Sequence, residues 1–461
     1  MADTPPAASH PVRNGTPRNK LKKGRALLLG FGALLVLLTV TVGVWMQDEP
    51  PHDDSDLTGP IPMRSPGPTI SEGLVELGAL LPPYPEFFYS IGVDTPRPWP
   101  PGPLDREGWE AAVDVRTELS EYLETHDAVW AQLDAVIARS EFRETQPQGF
   151  GDPSPGMVEA RQFATILTLR ALERRLAGDV PGASSDLGRV LALGEGMCRD
   201  SWTPVVGDLV GIAIMQSAMS SLVSLLFDGP LDPNVEAQLL ARIPFFEAHP
   251  DRLAWSLRNE YAMLSNAIET ISDAADRQPS LSGSMLDRIT FKPNRTRRVA
   301  AESFRDLIQR STLPPGNRPA PSRVEESSSA LDVLFRSNIG EKLLEMVLPT
   351  YESLFTKHDD LTTTERAVRI LVALSVLERQ NGELPVQLLA VSPALTGQTG
   401  TALIDPYAAK LFRYDATRGL LWSVGIDGVD NGAKESEKLR GASPLSPFKL
   451  ADPTWIVPKP H

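Results

Sequence analysis

The most apolar stretch of the chain, Ala26–Met46, contains no charged residue. At about 1.5 Å rise per residue, a helix of that length spans roughly 30 Å, the depth of the hydrocarbon core of a bilayer. The stretch therefore predicts a transmembrane helix that contacts lipid. Basic residues dominate positions 1–25, and acids such as Asp48 and Glu49 follow the span. Because Lys and Arg remain on the cytoplasmic side, we expect a cytoplasmic tail at 1–25 and an extracytoplasmic remainder, anchored in a bacterial inner (plasma) membrane.

A cleaved signal peptide and a type IV pilin leader are the two alternatives to an anchor. Signal peptides have apolar cores of about 7–15 residues and a small-x-small cleavage site, whereas this core is longer and ends in Val-Gly-Val-Trp-Met-Gln. Gly30-Phe31 is similar to the cleavage pair of a pilin leader. The glutamate of that leader is replaced by Leu35, however, and the helix stops at Pro50-Pro51 instead of continuing into a globular head. An uncleaved anchor fits these residues best.

Proline, glycine and aspartate are concentrated in residues 47–104. Repeated proline favours extended, semi-rigid conformations, so this segment is predicted to be a linker that holds the following domain away from the membrane. A short helix is expected within it at Ile70–Leu81, with Glu72 in its first turn.

Apolar residues recur at helical spacings through most of residues 105–360, which predicts a mainly α-helical domain. The clearest pair of helices is Met157–Met197, where Gly178 is placed to end one helix and Asp179 to begin the next. This segment resembles a tetratricopeptide-type helical hairpin, with small residues such as Ala171 and Ala183 between its helices. Further helices are expected at 104–142, Arg252–Ile271, Asn294–Arg310, Asn338–Phe355 and Thr362–Gln380.

Thr203–Phe227 carries one charge, Asp208, and its apolar character raises the alternative of a second membrane span. Several Ser and Thr residues and Gln216 lie in or beside it, and no basic flank marks a cytoplasmic end. A second crossing would also return the C-terminus to the cytoplasm. A buried core helix is therefore the preferred interpretation.

A basic face is predicted on the helix that Asn294 caps, where Arg295, Arg297, Arg298 and Arg305 recur. Such a face either binds an anionic partner or is paired with the acids of the chain. Because the net charge is −14 and the N-terminal tail is basic, acids are abundant outside the tail and pairing is favoured. The same acidity repels phosphate backbones, so we expect no nucleic-acid partner.

The pattern changes after Asn381-Gly382, where the helical periodicity ends. Leu411–Tyr414 and Leu420–Val424, joined by a turn, have the pattern of a β-hairpin. Residues 361–461 are therefore predicted to form a small α+β module.

A series of short motifs in this module carries a family resemblance. The residues are Gly382 and Pro385, then Asp405, Pro406, Tyr407 and Tyr414, then Ser423, Gly425, Asp427 and Gly428. Their order is similar to the C-terminal part of the major pseudopilin, the protein G family of type II secretion systems. The ectodomain also resembles a group of uncharacterised single-span bacterial membrane proteins in which helical hairpins precede such a module.

This resemblance implies a calcium site in the aspartate loop of the module. Carried onto this chain, it gives Asp427, Asp430 and Asp452 as oxygen ligands, with backbone carbonyls completing the usual six to eight. The alternative is that Asp427-Gly428 is simply a turn.

The residues give no direct sign of catalysis. Cys198 is the single cysteine, so no intramolecular disulfide forms, and its helical surroundings predict a packing residue. No Gly-rich phosphate loop, His-Glu-x-x-His or Gly-x-Ser-x-Gly motif occurs in the sequence. The directly adjacent His–acid groups of the helical part, His126-Asp127 and His358-Asp359-Asp360, lie in polar stretches. We expect each to be a cap or surface group, and we predict no catalytic residue.

The sequence thus predicts a membrane-anchored, extracytoplasmic scaffold or interaction protein of the envelope, with envelope proteins as partners and a possible link to secretion. The alternative is an anchored extracytoplasmic enzyme whose site lies between helical hairpins. A cleft with converging acids of shifted pKa favours the enzyme.

Overall fold

A computed structural model describes the greater part of the chain that follows residue 47. The described residues are 48–59, 67–82, 109–110, 113–139, 141–143, 154–199, 205–226, 232–243, 252–277, 292–319, 339–395, 400–434 and 453–457. The predicted membrane helix at 26–46 lies outside them, and so does Asp452.

The described chain is mainly α-helical, as predicted, with a small antiparallel sheet region near its C-terminal end. Its helices are α1 (Ile70–Gly78), α2 (Val113–Thr125), α3 (Asp127–Ile137), α4 (Pro155–Leu176), α5 (Val180–Arg199), α6 (Val205–Leu226), α7 (Pro233–Arg242), α8 (Arg252–Arg277), α9 (Pro293–Ser311) and α10 (Ile339–Asn381).

The predicted helical hairpin is confirmed as α4 and α5. Gly178 follows the last turn of α4 with φ +77°, a conformation that costs glycine little. Asp179 caps α5, because its Oδ1 accepts a hydrogen bond of 3.0 Å from the Gly182 N–H. Ala171 and Ala183 are buried between the helices. These local signals are enough to reverse the chain and bring two apolar faces together.

Helix α6 occupies the centre of the helical domain, where it packs against α4, α5, α8 and α10. It is long and apolar enough to cross a membrane by length and composition, and 67% of its most apolar window is buried inside the protein. Helices α5 and α6 approach each other closely at Gly194. A Cβ atom at this position would lie only 2.7 Å from the Gly211 carbonyl oxygen, so the contact requires glycine. This packing agrees with the core-helix interpretation.

Helix α10 is one continuous helix of 43 residues, whereas the sequence predicted one helix that ends at Phe355 and a second that begins at Thr362. The hydroxyls of Thr362, Thr363 and Thr364 donate to the carbonyl oxygens four residues earlier, at 2.7–3.0 Å. A threonine that bonds backwards in this way continues a helix instead of starting one. The prediction of a break at this point was wrong.

Two stretches of the predicted linker belong to the folded domain. Residues 48–59, which we call the N-terminal strap, lie against α8 and α9 and bury Leu57. Helix α1 begins at a capping box in which Thr69 and Glu72 bond each other's backbone N–H, at 3.2 and 2.9 Å. It packs on α3 and α4. Because both stretches pack against helices of the domain, neither acts as a free spacer.

The C-terminal module contains two small antiparallel sheets. β1 (Ile404–Asp405) pairs with β2 (Lys410–Leu411), and β3 (Arg413–Asp415), β4 (Leu420–Trp422) and β5 (Thr454–Ile456) pair in that order. The predicted hairpin is confirmed as β3–β4, with Tyr414 opposite Leu421. Phe412, Leu421 and Trp455 join the same hydrophobic core as the helices.

We expect Leu74→Ala, in α1, to lower the free energy of unfolding by about 2–5 kcal/mol, because it leaves a cavity at a fully buried position. Leu80→Ala is the matched control: Leu80 is 61% exposed, and the change should cost less than about 0.5 kcal/mol. Urea unfolding of both variants measures the difference. Equal effects would contradict the assignment of residues 67–82 to the core.

Candidate functional site

The N-terminal strap is held on α9 by a row of complementary charges. The Arg298 Nε lies 2.6 Å from the Glu49 carboxylate, and the Arg305 Nε lies 2.9 Å from that of Asp56. Arg305 also donates 2.9 Å to the Asp53 carbonyl oxygen. The arginine beside each acid, Arg298 for Glu49 and Arg305 for Asp56, lowers the pKa of that carboxyl group. The predicted basic face is therefore paired with acids of the same chain.

The first acid of the strap caps α9. The Asp48 carboxylate accepts hydrogen bonds of 2.8 and 3.2 Å from the N–H groups of Asn294 and Arg295. Helix α9 begins at Pro293, so Asn294 lies inside its first turn, and the prediction that Asn294 is the cap was wrong. A carboxylate at a helix N-terminus satisfies free N–H groups and the helix dipole together. Farther along, Tyr261 of α8 donates a hydrogen bond to Asp54.

A second ionic cluster, which we call the junction, lies where α10 meets the C-terminal module. Arg318, in the turn after α9, binds Asp359 through both arms of its guanidinium group. Burial raises the pKa of the Asp359 carboxyl group to about 6, and Arg318 opposes that rise. The Tyr407 hydroxyl of the module donates 2.7 Å to Asp360, whose carboxyl pKa burial also raises.

Asp405 connects the two halves of the motif series in the module. Its Oδ1 accepts hydrogen bonds from the Ser423 hydroxyl at 2.8 Å and the Tyr407 N–H at 3.0 Å, and its Oδ2 accepts from the Val424 N–H at 3.0 Å. The Ser423 Oγ in turn accepts from the Gly425 N–H at 3.1 Å. Asp405 is fully buried. The motif residues Asp405, Tyr407, Ser423 and Gly425 thus form one hydrogen-bonded unit that shapes the module.

His358-Asp359-Asp360 lies inside α10, and the expectation that it is a cap or surface group was wrong. Asp359 and Asp360 are 6% and 8% exposed, and His358 is partly buried beside them. Burial, with the nearby charges of Arg318 and Arg252, lowers the pKa of His358 to about 3. The imidazole is therefore neutral at physiological pH.

The predicted calcium ligands that the structure describes are engaged as follows. Asp427 is exposed, and its Oδ1 accepts from the Val429 N–H at 2.9 Å. The Asp430 carboxylate accepts 2.8 Å from the Arg413 Nε and 3.1 Å from the Trp422 Nε1. Asp452 lies outside the described residues. Among the described residues, no group of three or more His, Cys, Asp or Glu side chains is placed to hold a metal. The calcium site stays a prediction.

The other candidate residues have structural settings. Cys198 is buried, its Sγ lies 3.6 Å from the Asp208 carbonyl oxygen, and burial raises the pKa of the thiol well above its ordinary value. His126 stands at the N-cap position of α3, with its Nδ1 2.7 Å from the Tyr122 carbonyl oxygen.

Sequence reasoning missed the junction and the docking of the strap. The sequence did contain a signal for the strap, because it has a cluster of acids at 48–56 and a series of arginines that recur along one predicted helix. The junction left a weaker signal, since two adjacent acids within a long helical pattern resemble any polar surface.

Comparison with protein-family models, with curated proteins and with solved structures gives no match for this chain. The resemblance to the pseudopilin module stays a prediction.

The shifted pKa values of His358 and Asp359 predict opposite pH dependences of stability for these two groups. Unfolded His358 takes up a proton near pH 6.5 and the folded residue near 3, so acidification from pH 7.5 to 5.5 favours unfolding by about 1 kcal/mol. His358→Gln removes this loss. Asp359 takes up its proton near pH 6 when folded but near 3.8 when unfolded, so acidification favours folding, and Asp359→Asn removes that gain.

Urea unfolding at the two pH values checks both signs. Wild type should lose stability relative to His358→Gln and gain stability relative to Asp359→Asn as the pH falls. Three parallel pH curves would contradict the burial of these groups.

Calcium is expected to raise the melting temperature of the purified chain, because a bound cation stabilises the folded state. Asp427→Ala should abolish the shift. Asp415→Ala, in the β3–β4 turn, changes an aspartate outside the predicted ligand set and should leave the shift intact. The absence of any shift at millimolar calcium would refute the site.

Proposed function

We propose that this chain is a membrane-anchored, extracytoplasmic scaffold or interaction protein of the bacterial envelope, with a link to secretion. The observation that carries the proposal is the docking of the N-terminal strap. The strap begins at Asp48, just after the predicted membrane helix at 26–46, and ion pairs fix it to α9. An anchor joined to its domain in this way transmits position and force to that domain.

The strap also constrains how the domain would face the membrane. One residue, Gln47, separates Asp48 from the predicted end of the span, and an extended chain covers at most about 3.6 Å per residue. The Asp48 carboxylate sits on the first turn of α9. In the anchored protein the N-terminal end of α9 would therefore lie within about 10 Å of the extracytoplasmic surface of the inner membrane. A fixed orientation of this kind suits a scaffold.

The aspartate loop of the C-terminal module offers a surface for a protein partner. Ile426 and Val429 are 72% and 54% exposed on this loop. Large apolar side chains that are exposed on the same loop are a feature of interaction sites. Gly425 and Gly428, with φ of +69° and +67°, hold the loop in turns that present these side chains.

A second candidate function, an anchored enzyme, is favoured by one observation. The junction holds a carboxyl group with a pKa of about 6, close to a tyrosine hydroxyl and an arginine. Groups with shifted pKa values cluster at catalytic sites, although structural ion pairs show the same shifts. We prefer the scaffold role because the charged groups of the junction pair with groups on other elements of the fold, as structural ion pairs do.

Site-specific photo-cross-linking in the native membrane tests the scaffold role. A photoreactive residue at position 426 should capture the same envelope proteins in repeated experiments, identified by mass spectrometry, since the side chain there is exposed. The control carries the photoreactive residue in place of Glu121, an exposed polar position on α2. Val429→Ser should reduce the capture at 426. Equal capture at both positions, or none at 426, would contradict a partner surface on the loop.

A further inference from the structure

A cleft of about 270 Å³ lies between the N-terminal strap and α8. The strap contributes Asp56, Leu57, Thr58 and Gly59, and α8 contributes Trp255, Arg258, Asn259 and Ala262. The cleft therefore exists only because the strap is docked. Its volume is just below the range of about 300–1,000 Å³ that is usual for small-molecule sites.

Arg258 is a charged group of this cleft for which the described part of the chain supplies no hydrogen-bonded partner. Its guanidinium carbon lies 5.0 Å from the centre of the Trp255 ring, in a cation–π contact. Its Nε is buried and donates no hydrogen bond. The acid that lines the same cleft, Asp56, is already bound by Arg305 through both of its oxygens. Arg258 thus keeps donors for a further group.

The cleft places apolar side chains next to the guanidinium group of Arg258. Leu57, Ala262 and the indole of Trp255 supply hydrocarbon surface next to the guanidinium group. A partly buried charge without a hydrogen-bonded partner is unfavourable, and an anionic ligand would relieve that cost. The planar fork of an arginine matches a carboxylate or a phosphate through two parallel hydrogen bonds.

We propose that this cleft binds a small organic anion, with its carboxylate or phosphate group on Arg258 and its apolar body against Leu57, Trp255 and Ala262. The volume restricts the ligand to a small molecule. The site goes beyond the scaffold role and does not depend on it, since it uses the folded domain alone. The ligand contacts the strap and α8 together, so its binding stabilises the docked strap.

Ligand-observed NMR titration of the full chain in lipid nanodiscs tests the site, with empty nanodiscs as the blank. The probes are naphthalene-2-carboxylate and 2-naphthyl phosphate, and naphthalene-2-carboxamide is the neutral control with the same body. We expect at least one anion to bind at least about tenfold more tightly than the amide, because a hydrogen bond to a charged group is worth about 1.5–3 kcal/mol.

Three variants locate the binding. Arg258→Met should weaken anion binding at least about tenfold. Ala262→Phe fills the cleft while it retains the arginine, and it should abolish binding of both anions. Arg418→Met is the matched control, since it removes an arginine whose side chain is 43% exposed in the C-terminal module, and it should leave binding unchanged.

The outcomes are distinct. Binding that Arg258→Met and Ala262→Phe both reduce supports the site. Failure of both anions to bind below about 10 mM overturns it, as does an amide that binds as tightly as the anions. Anion binding that neither variant changes places the ligand elsewhere and overturns it too. None of these outcomes bears on the cross-linking of envelope partners, so the two proposals fail separately.

Discussion

A charged side chain inside a packed core is stable only when its polar atoms find partners, and this constraint governs α10. The helix buries acids and arginines in its middle, and their partners come from different parts of the chain. The buried groups are Asp359, Asp360, Glu365, Arg366 and Arg369. The partners are Arg318 after α9, Tyr407 and the Ile404 carbonyl of the C-terminal module, and the Ile243 carbonyl at the end of α7. Loss of one partner leaves a buried charge uncompensated, so this row of contacts ties three regions to one helix.

The strap applies the same rule nearer the surface, where each contact is weaker. Its acids neutralise the arginines of α9 and cap the helix, and single exposed ion pairs of this kind contribute about 0–1 kcal/mol each. The strap stays docked because several such contacts act together with the burial of Leu57. The acids that follow the predicted span therefore fold onto the domain, and their docking creates the cleft that Arg258 lines.

The module at the C-terminal end depends on one carboxylate rather than on its short strands. Asp405 joins the turn at Tyr407 to the end of β4, while Tyr407 carries the connection onward to α10. The strands have only two or three residues each, too few to be stable alone. Side-chain hydrogen bonds and the shared hydrophobic core hold them in place.

The sequence by itself determined the features that depend on neighbours along the chain. The α4–α5 hairpin, the capping box at Thr69, the α6 core helix and the β3–β4 hairpin follow from periodicity, capping residues and turn glycines, which act over a few residues. Tertiary structure decided which charged side chains are buried and which groups they pair with. It made one helix of α10, buried Asp359 and Asp360 with His358 partly buried beside them, and docked the strap. These outcomes depend on distant partners, such as Glu49, which lies 249 residues from Arg298 along the chain, and local patterns do not contain them. A carboxylate looks the same in sequence whether water or a distant arginine compensates it.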